Sequence, residues 1–161
     1  MSERAHCDVQ FSRYWLRVPT GQEWVVQSIL GINHGALGVI PWSDPTPADI
    51  KMASSSFAKS LPKITPFLFD SQAAYSRKNY VVGGVDVATW STGSQTLVLA
   101  ANTDYIDQTV SWNDIELIGT GETVVFQSGS VEYTSDAFTL GSVGSGAFVV
   151  QTQCLTDQSP S

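Results

Sequence analysis

Few side chains in this sequence combine a type and a spacing that could do chemistry, and Glu23 and His34 are the first to consider. Glu23 closes the tetrapeptide Thr20-Gly21-Gln22-Glu23, which has the spacing of a helix capping box. No partner carboxylate is evident for Glu23, and His34 stands just before a Gly-Ala pair at the expected end of that helix. We therefore assign both side chains to structural roles, with His34 favourable to the helix dipole when protonated.

Metal and cofactor motifs give no positive signal. Asp104, Asp107 and Asp114 lack the spacing of a calcium loop and are predicted to form a solvated acidic rim. Cys7 and Cys154 have no Cys-x-x-Cys spacing. They either form one disulfide that joins the chain ends or stay unpaired, and the unpaired state is our preferred interpretation. With no nucleophile elbow, phosphate-binding loop or His-Glu-x-x-His motif, the sequence predicts no cofactor and no metal.

Charge is distributed unevenly along the 161 residues, whose formal net charge is −7. Residues 1–70 carry six basic and six acidic side chains, whereas residues 71–161 carry two basic and nine acidic ones. An acidic second half without a basic stripe argues against nucleic acid as a partner. No apolar run approaches the roughly 20 residues of a membrane helix, and Met1–Gln10 has no signal core. We expect no membrane partner; the compartment stays open, with a secreted parent protein expected.

The elements that must position these side chains begin with a helix at the capping box. Val25, Ile29 and Ile32 fall on one face of this helix, which is expected to stop near Gly35. The apolar run Leu37–Trp42 is typical of a strand buried on both faces. A second helix is predicted from Thr46 as the cap, with Pro47 at its first position and Asp49 closing the box. Pro62 is expected to end it, before a helical turn over Ile64–Phe69.

From Tyr80 onwards the hydrophobic period changes to that of short strands separated by Gly, Ser, Asn and Asp turns. This pattern predicts an antiparallel sandwich of seven or eight strands. Its inward side chains are expected to include Leu97, Leu99, Val124, Phe126, Phe138, Leu140, Phe148 and Val150. The predicted strands are Tyr80–Val82, Val85–Trp90, Thr96–Ala101, Gln108–Trp112, Glu122–Gln127, Ser130–Tyr133, Ala137–Leu140 and Ala147–Thr152.

The order helix, buried strand, helix in the first half cannot form a domain by itself, because the edges of a lone buried strand would keep unpaired amides and carbonyls. A unit of this kind is, however, what closes a (β/α)8 barrel. We therefore predict an α+β chain, in which a helix–strand–helix remnant of such a barrel precedes the antiparallel sandwich.

Two stretches of sequence carry a family resemblance. Residues 14–27 contain Arg17-Val18-Pro19-Thr20, and residues 31–42 contain His34-Gly35-Ala36 and end at Pro41-Trp42. They are similar to the end of the barrel in fungal glycoside hydrolase-like proteins. Those proteins have an Arg-x-Pro-Thr entry to the seventh helix, a His-Gly-Ala turn and an eighth strand that ends in an aromatic residue. Their eighth helix begins with Pro-Thr and leads into a C-terminal β-sandwich, and the resemblance covers residues 10–150.

The resemblance implies that residues 1–72 are the end of a TIM-type barrel and that residues 73–161 are a C-terminal β-sandwich. The chain would then be the C-terminal fragment of an enzyme that hydrolyses O-glycosyl bonds, with carbohydrate as its partner. Such barrels usually take an acid/base carboxylate from the fourth strand and often a nucleophile from the seventh. Val9–Ser12, where the seventh strand is expected, contains no Glu or Asp. We assign no catalytic residue, and we expect the chain alone to be inactive.

Trp42 and Asp44 are the candidate substrate-binding residues. A barrel enzyme builds its active site at the carboxyl ends of its strands. Trp42 would end the eighth strand and could support a sugar ring, although packing on the second helix is an alternative. Asp44 could bind a sugar hydroxyl, although a turn residue before Pro45 is the favoured interpretation.

Two other functions stay open from the sequence. In the first, the helices pack on the sandwich to complete a carbohydrate-binding or lectin-like module, with Trp90 or Trp112 stacking on sugars; burial of both in the core is the preferred interpretation. In the second, the chain self-associates through Leu37–Ile40 and so hides the edges of the unpaired barrel strand.

Overall fold

The structure is a computed structural model that describes residues 17–39 and 46–152. Within these residues three helices come first and eight strands follow; the number of strands agrees with the predicted seven or eight, whereas the short helix at Ser71–Ser76 was not predicted. The helices are α1 (Gly21–Asn33), α2 (Ala48–Leu68) and α3 (Ser71–Ser76). The strands are β1 (Lys78–Val82), β2 (Val85–Thr92), β3 (Gln95–Asn102), β4 (Gln108–Ser111), β5 (Gly119–Ser128), β6 (Val131–Tyr133), β7 (Ala137–Leu140) and β8 (Ser145–Thr152), with a 3-10 helix at Trp112–Ile115 between β4 and β5.

The elements form three layers, with a five-stranded sheet in the middle. This sheet has the order β1-β2-β3-β8-β5, the second sheet has the order β4-β7-β6, and every pair of neighbouring strands is antiparallel. The three helices bury their apolar faces on one side of the five-stranded sheet, and the three-stranded sheet covers the other side. The predicted class, α+β with helices before a two-sheet antiparallel sandwich, is confirmed.

Strand β3 shows how the middle sheet is covered on both faces. Its residues Thr96 to Asn102 are all buried, because alternate side chains enter different cores. Leu97 and Leu99 contact the helices, whereas Val98 faces the three-stranded sheet. The expectation that Leu97, Leu99 and Phe126 point into the space between the two sheets is therefore wrong: they are buried as predicted, but under the helical layer.

The start of α1 agrees with the capping box in the sequence. The Thr20 hydroxyl accepts a hydrogen bond from the Glu23 amide at 3.3 Å, and the Glu23 carboxylate accepts one from the Thr20 amide at 2.7 Å. These bonds satisfy two donors that a helix start leaves without intrahelical partners. The helix ends at Asn33, and His34 is its C-cap, so the predicted helix-end position of His34 is confirmed.

Helix α2 differs from its prediction at both ends. It begins at Ala48 with Pro47 as the N-cap, one residue later than Thr46 as the cap predicts. It also continues through Pro62 and Pro66 to Leu68, so the expectation that Pro62 ends it is wrong. Both prolines are exposed, and a proline inside a helix removes one backbone hydrogen bond and can kink the helix without ending it.

The expected strand at Leu37–Trp42 is not formed over residues 37–39. These three residues have no strand partners, and Leu37 and Val39 are 83% and 39% exposed. The remainder of the run, including Trp42, lies outside the described residues, as do Asp44, Cys7 and Cys154.

Candidate functional site

Helices α1 and α2 run parallel and side by side, which sets the geometry of the whole helical layer. Their first turns meet where the Gly21 amide donates to the Asp49 carboxylate at 2.8 Å. Their last turns meet again at a cavity of about 170 Å³ that Ile32 and Gly35 line together with Leu68 and Phe69. The approach at the first turns is close, since a Cβ atom on Gly21 would lie 2.6 Å from the carbonyl oxygen of Asp49.

An apolar cleft of about 430 Å³ lies between α1, α2 and residues 37–39. Trp24, Ile32, Phe57, Leu61 and Leu68 supply most of its apolar wall. Its rim is exposed: Leu37 and Phe69, which also line it, are 83% and 62% exposed. Large apolar side chains grouped around an open cleft are unusual on a surface that only contacts water.

A second depression, of about 580 Å³, lies where the first turns of α1 and α2 meet the loops of the sandwich; we call it the Tyr105 depression. It is polar on the helical side and carries one exposed aromatic ring, that of Tyr105, which is 65% exposed. Its lining residues are Arg17, Thr20, Gly21, Gln22, Glu23, Asp49, Met52, Ala53, Ser56, Tyr105, Ser128 and Val143.

Glu23 is the centre of a hydrogen-bond network in this depression. Its carboxylate accepts from Arg17 Nη1 at 2.7 Å, from Arg17 Nη2 and from the Tyr105 hydroxyl. Arg17 Nη2 also contacts the Tyr105 hydroxyl oxygen at 3.1 Å. The network joins residues far apart in sequence, so Arg17 of the Arg-x-Pro-Thr motif fastens the entry of α1 to the loop between β3 and β4.

These partners set the protonation of Glu23. The hydrogen bond from Arg17 holds the pKa of the Glu23 carboxyl well below its usual range, and the bonds from Tyr105 and the Thr20 amide act in the same direction. The bond to Glu23 in turn raises the pKa of the Tyr105 hydroxyl. Glu23 is therefore a permanent acceptor near neutral pH and cannot serve as a general acid there.

His34 lies at the other end of α1 and pairs with a carboxylate that the sequence did not single out. His34 Nε2 and Asp86 Oδ2 are 2.8 Å apart, and Asn33 Nδ2 donates to Asp86 Oδ1 at 2.7 Å. Asn33 also donates to the Leu99 carbonyl at 3.3 Å. Asp86 is a lone charged residue inside the apolar strand β2, and that contrast was the available signal for a buried polar contact.

The tryptophans of the sandwich are core residues. Trp90 is 3% exposed beneath the helices, and Trp112 is 8% exposed between the sheets. The Trp112 ring centroid lies 4.9 Å from that of Phe138 and 5.8 Å from that of Phe148. Neither indole presents an open face to a sugar, and the preferred interpretation of Trp90 and Trp112 as core residues agrees with their burial.

The acidic loop residues have local hydrogen-bond roles. Asp104 accepts from Gln108 at 3.0 Å, Asp107 accepts from the Ser142 amide at 3.2 Å, and Asp114 accepts from the Ser111 amide at 3.1 Å. Within residues 17–39 and 46–152, no three His, Cys, Asp or Glu side chains converge so as to hold a metal ion. In the same part of the chain, no helix has the length and apolarity needed to cross a membrane.

Glu23 and Asp49 are the two carboxylates of the Tyr105 depression, and Glu23 is unsuited to be the acid of a glycoside hydrolase pair. Glu23 and Asp49 both line the Tyr105 depression, but each is hydrogen-bonded to a backbone amide at the start of α1. A two-carboxylate mechanism needs one carboxyl group that is protonated near neutral pH. Glu23 does not meet that need, because its pKa is lowered.

Comparison with known proteins gives a likeness of fold. No family model matches the sequence. No curated protein matches it either. The structure of trehalose-6-phosphate hydrolase from Bacillus licheniformis matches 73% of this chain, with a TM-score of 0.51 and 12% identity, and 23% of that chain is covered. The glycoside hydrolase family 30 subfamily 8 xylanase Xyn30A from Clostridium acetobutylicum matches 84% of this chain, with a TM-score of 0.47 and 10% identity, and 41% of that chain is covered.

This chain therefore spans less than half the length of either glycoside hydrolase. At such low identity, the match to the trehalose-6-phosphate hydrolase is evidence of a shared fold alone. About 73% of this chain shares its fold with part of the trehalose-6-phosphate hydrolase.

Proposed function

We propose that this chain is the C-terminal part of a glycoside hydrolase. In this proposal, residues 1–72 are the last helix–strand–helix unit of a (β/α)8 barrel, and residues 73–161 are the accessory sandwich that supports it. The parallel alignment of α1 and α2 carries the proposal. Neighbouring helices of a (β/α)8 barrel run parallel, because each is joined to the next through a strand that returns the chain to the same end.

The apolar cleft supplies the surface that the rest of a barrel would cover. Helices α1 and α2 already bury one face against the five-stranded sheet. Leu37 and Phe69 remain exposed at the rim of the cleft. We propose that the preceding strands and helices of the barrel are what contacts this cleft in the complete enzyme.

Substrate contacts in the complete enzyme are assigned to Trp42 and Asp44. Trp42 ends the proposed last strand and Asp44 lies two residues later, and barrel enzymes build their active sites at the carboxyl ends of their strands. In the proposal, Trp42 stacks on a sugar ring and Asp44 accepts hydrogen bonds from hydroxyl groups of the carbohydrate. The acid/base carboxylate and the nucleophile come from earlier strands of the barrel.

Hydrolysis assays on the purified chain test the proposal that the catalytic carboxylates lie on other strands of the barrel. With a panel of aryl glycosides and soluble glucans and xylans, we expect no turnover, because the proposal places the acid/base carboxylate and the nucleophile on earlier strands of the barrel. Turnover that is lost in Glu23→Gln but kept in the exposed control Glu132→Gln would overturn the proposal and place catalysis in the Tyr105 depression.

A further inference from the structure

The Tyr105 depression has a composition that the proposed function does not use. Tyr105 offers an exposed ring, and Met52 beside it is 70% exposed. Around them lie Gln22 and Asp49, both exposed, and the Glu23 carboxylate, which is 12% exposed. An apolar surface next to several fixed polar groups is the usual arrangement of a small-molecule site.

The charges of the depression select the class of ligand. Arg17 is paired with Glu23, and Asp49 adds a second carboxylate, so the charged groups sum to one negative charge. The amides of Thr20 and Gly21 already donate to Glu23 and Asp49. An anion would therefore meet repulsion and find those donors occupied. A neutral ligand rich in hydroxyl groups has donors for the Asp49 carboxylate and acceptors for the Gln22 amide group.

We propose that the Tyr105 depression is a saccharide-binding site, in which the apolar face of a pyranose ring stacks on Tyr105. The sugar hydroxyl groups donate to the Asp49 carboxylate and accept from the Gln22 amide, both of which are exposed. Glu23 accepts from Arg17, Tyr105 and the Thr20 amide, and these bonds hold the Tyr105 side chain in position before any ligand arrives. Pre-positioned polar groups lower the entropic cost of binding.

The site is formed wholly by described residues, so saccharide binding there does not depend on a missing barrel. Its position also relates to the proposed function. The depression lies at the amino ends of α1 and α2, and in a complete barrel the amino ends of the helices lie on the same face as the active site. A saccharide chain bound at Tyr105 would then extend along that face.

Calorimetric titration of the full chain with xylotriose, maltotriose and trehalose tests the site, with sodium sulfate as the anion probe. We expect at least one saccharide to bind, Tyr105→Ala to weaken it at least about tenfold, and Tyr105→Phe, which keeps the ring, to weaken it less. Tyr75→Ala is the matched control, because Tyr75 is 95% exposed on α3 and does not line the depression. Circular dichroism checks that each variant is folded.

Chemical-shift mapping by NMR gives a second readout that does not rely on variants. Saccharide addition should shift amide signals of residues 21–23 and 104–107 more than those of α3. The inference is overturned if no saccharide binds up to about 50 mM, if binding survives Tyr105→Ala unchanged, or if only sulfate binds. None of these results concerns the apolar cleft, so they do not test the proposed role of this chain in a barrel enzyme.

Discussion

At the scale of single residues, Glu23 links local and long-range structure. It closes the capping box of α1 and also accepts from Arg17 and Tyr105. The capping box consists of four consecutive residues and could be predicted from them. Tyr105, in contrast, lies 82 positions from Glu23 in the sequence. No local sequence pattern predicts the contact between Glu23 and Tyr105, because this contact depends on where the loop between β3 and β4 lies after folding.

The pH dependence of stability should report this network. The pKa of Glu23 lies below its ordinary value of 4.5 in the folded chain. Its stabilising contribution is therefore complete above that value and is lost as the pH falls towards the folded-state pKa. Glu23→Gln, which can still accept from the Thr20 amide, should lower the free energy of unfolding at pH 7, and the difference from wild type should shrink between about pH 4.5 and pH 2.

Urea unfolding curves at several pH values measure this difference, with Glu132→Gln as the exposed control on β6. A Glu23→Gln variant whose free energy of unfolding differs from wild type by the same amount at pH 7 and pH 2.5 would show that the Arg17 and Tyr105 contacts contribute nothing through the ionised carboxylate.

At the scale of elements, the parallel contact between α1 and α2 depends on Gly21. A Cβ atom there would lie 2.6 Å from the Asp49 carbonyl oxygen and 2.9 Å from Ala53 Cβ. Gly21→Ala should therefore destabilise the chain by about 1–3 kcal/mol, as overpacking does, although alanine favours helix. Gly31→Ala in the same helix meets only Ala36 Cβ at 3.6 Å and should be neutral or stabilising by up to about 1 kcal/mol.

Thermal and urea melts of both variants compare the two glycines directly. If Gly21→Ala is as stable as Gly31→Ala, the first turns of α1 and α2 are not in close contact, and the parallel packing on which the proposed function depends would be contradicted.

Whether a segment is a helix or a strand was easier to predict from the sequence than which other elements cover its faces. Turn residues every few positions predicted seven or eight strands, and Thr20 with Glu23 predicted the start of α1. The expectation for Pro62 was wrong because a proline inside a helix can kink the helix without ending it. Leu97 and Leu99 were known to be buried, but period-two alternation does not say whether another sheet or a helix covers each face. The pairing of Asp86 with Asn33 needs the docking of α1 on β2, which no short window of sequence encodes.

At the scale of the whole molecule, the helices and the sheets share a core. Val25 and Ile29 of α1 and Phe57 of α2 pack in one cluster with Trp90 and Leu97 of the five-stranded sheet. The helical layer thus packs against the five-stranded sheet on one side. Its apolar cleft is open on another side. In the proposed enzyme, α1 and α2 would lie between the strands of the barrel and the sandwich.

Light scattering of the purified chain coupled to size-exclusion chromatography tests this central claim most directly. If the cleft is a surface that a barrel normally covers, the wild-type chain should associate as its concentration rises, and Leu37→Ser with Phe69→Ser should restore a monomer without lowering the free energy of unfolding. Tyr75→Ser, at an aromatic residue that is even more exposed but lies outside the cleft, should associate like wild type. A wild-type chain that stays monomeric at every concentration and binds no hydrophobic dye would contradict the account and identify a self-sufficient domain.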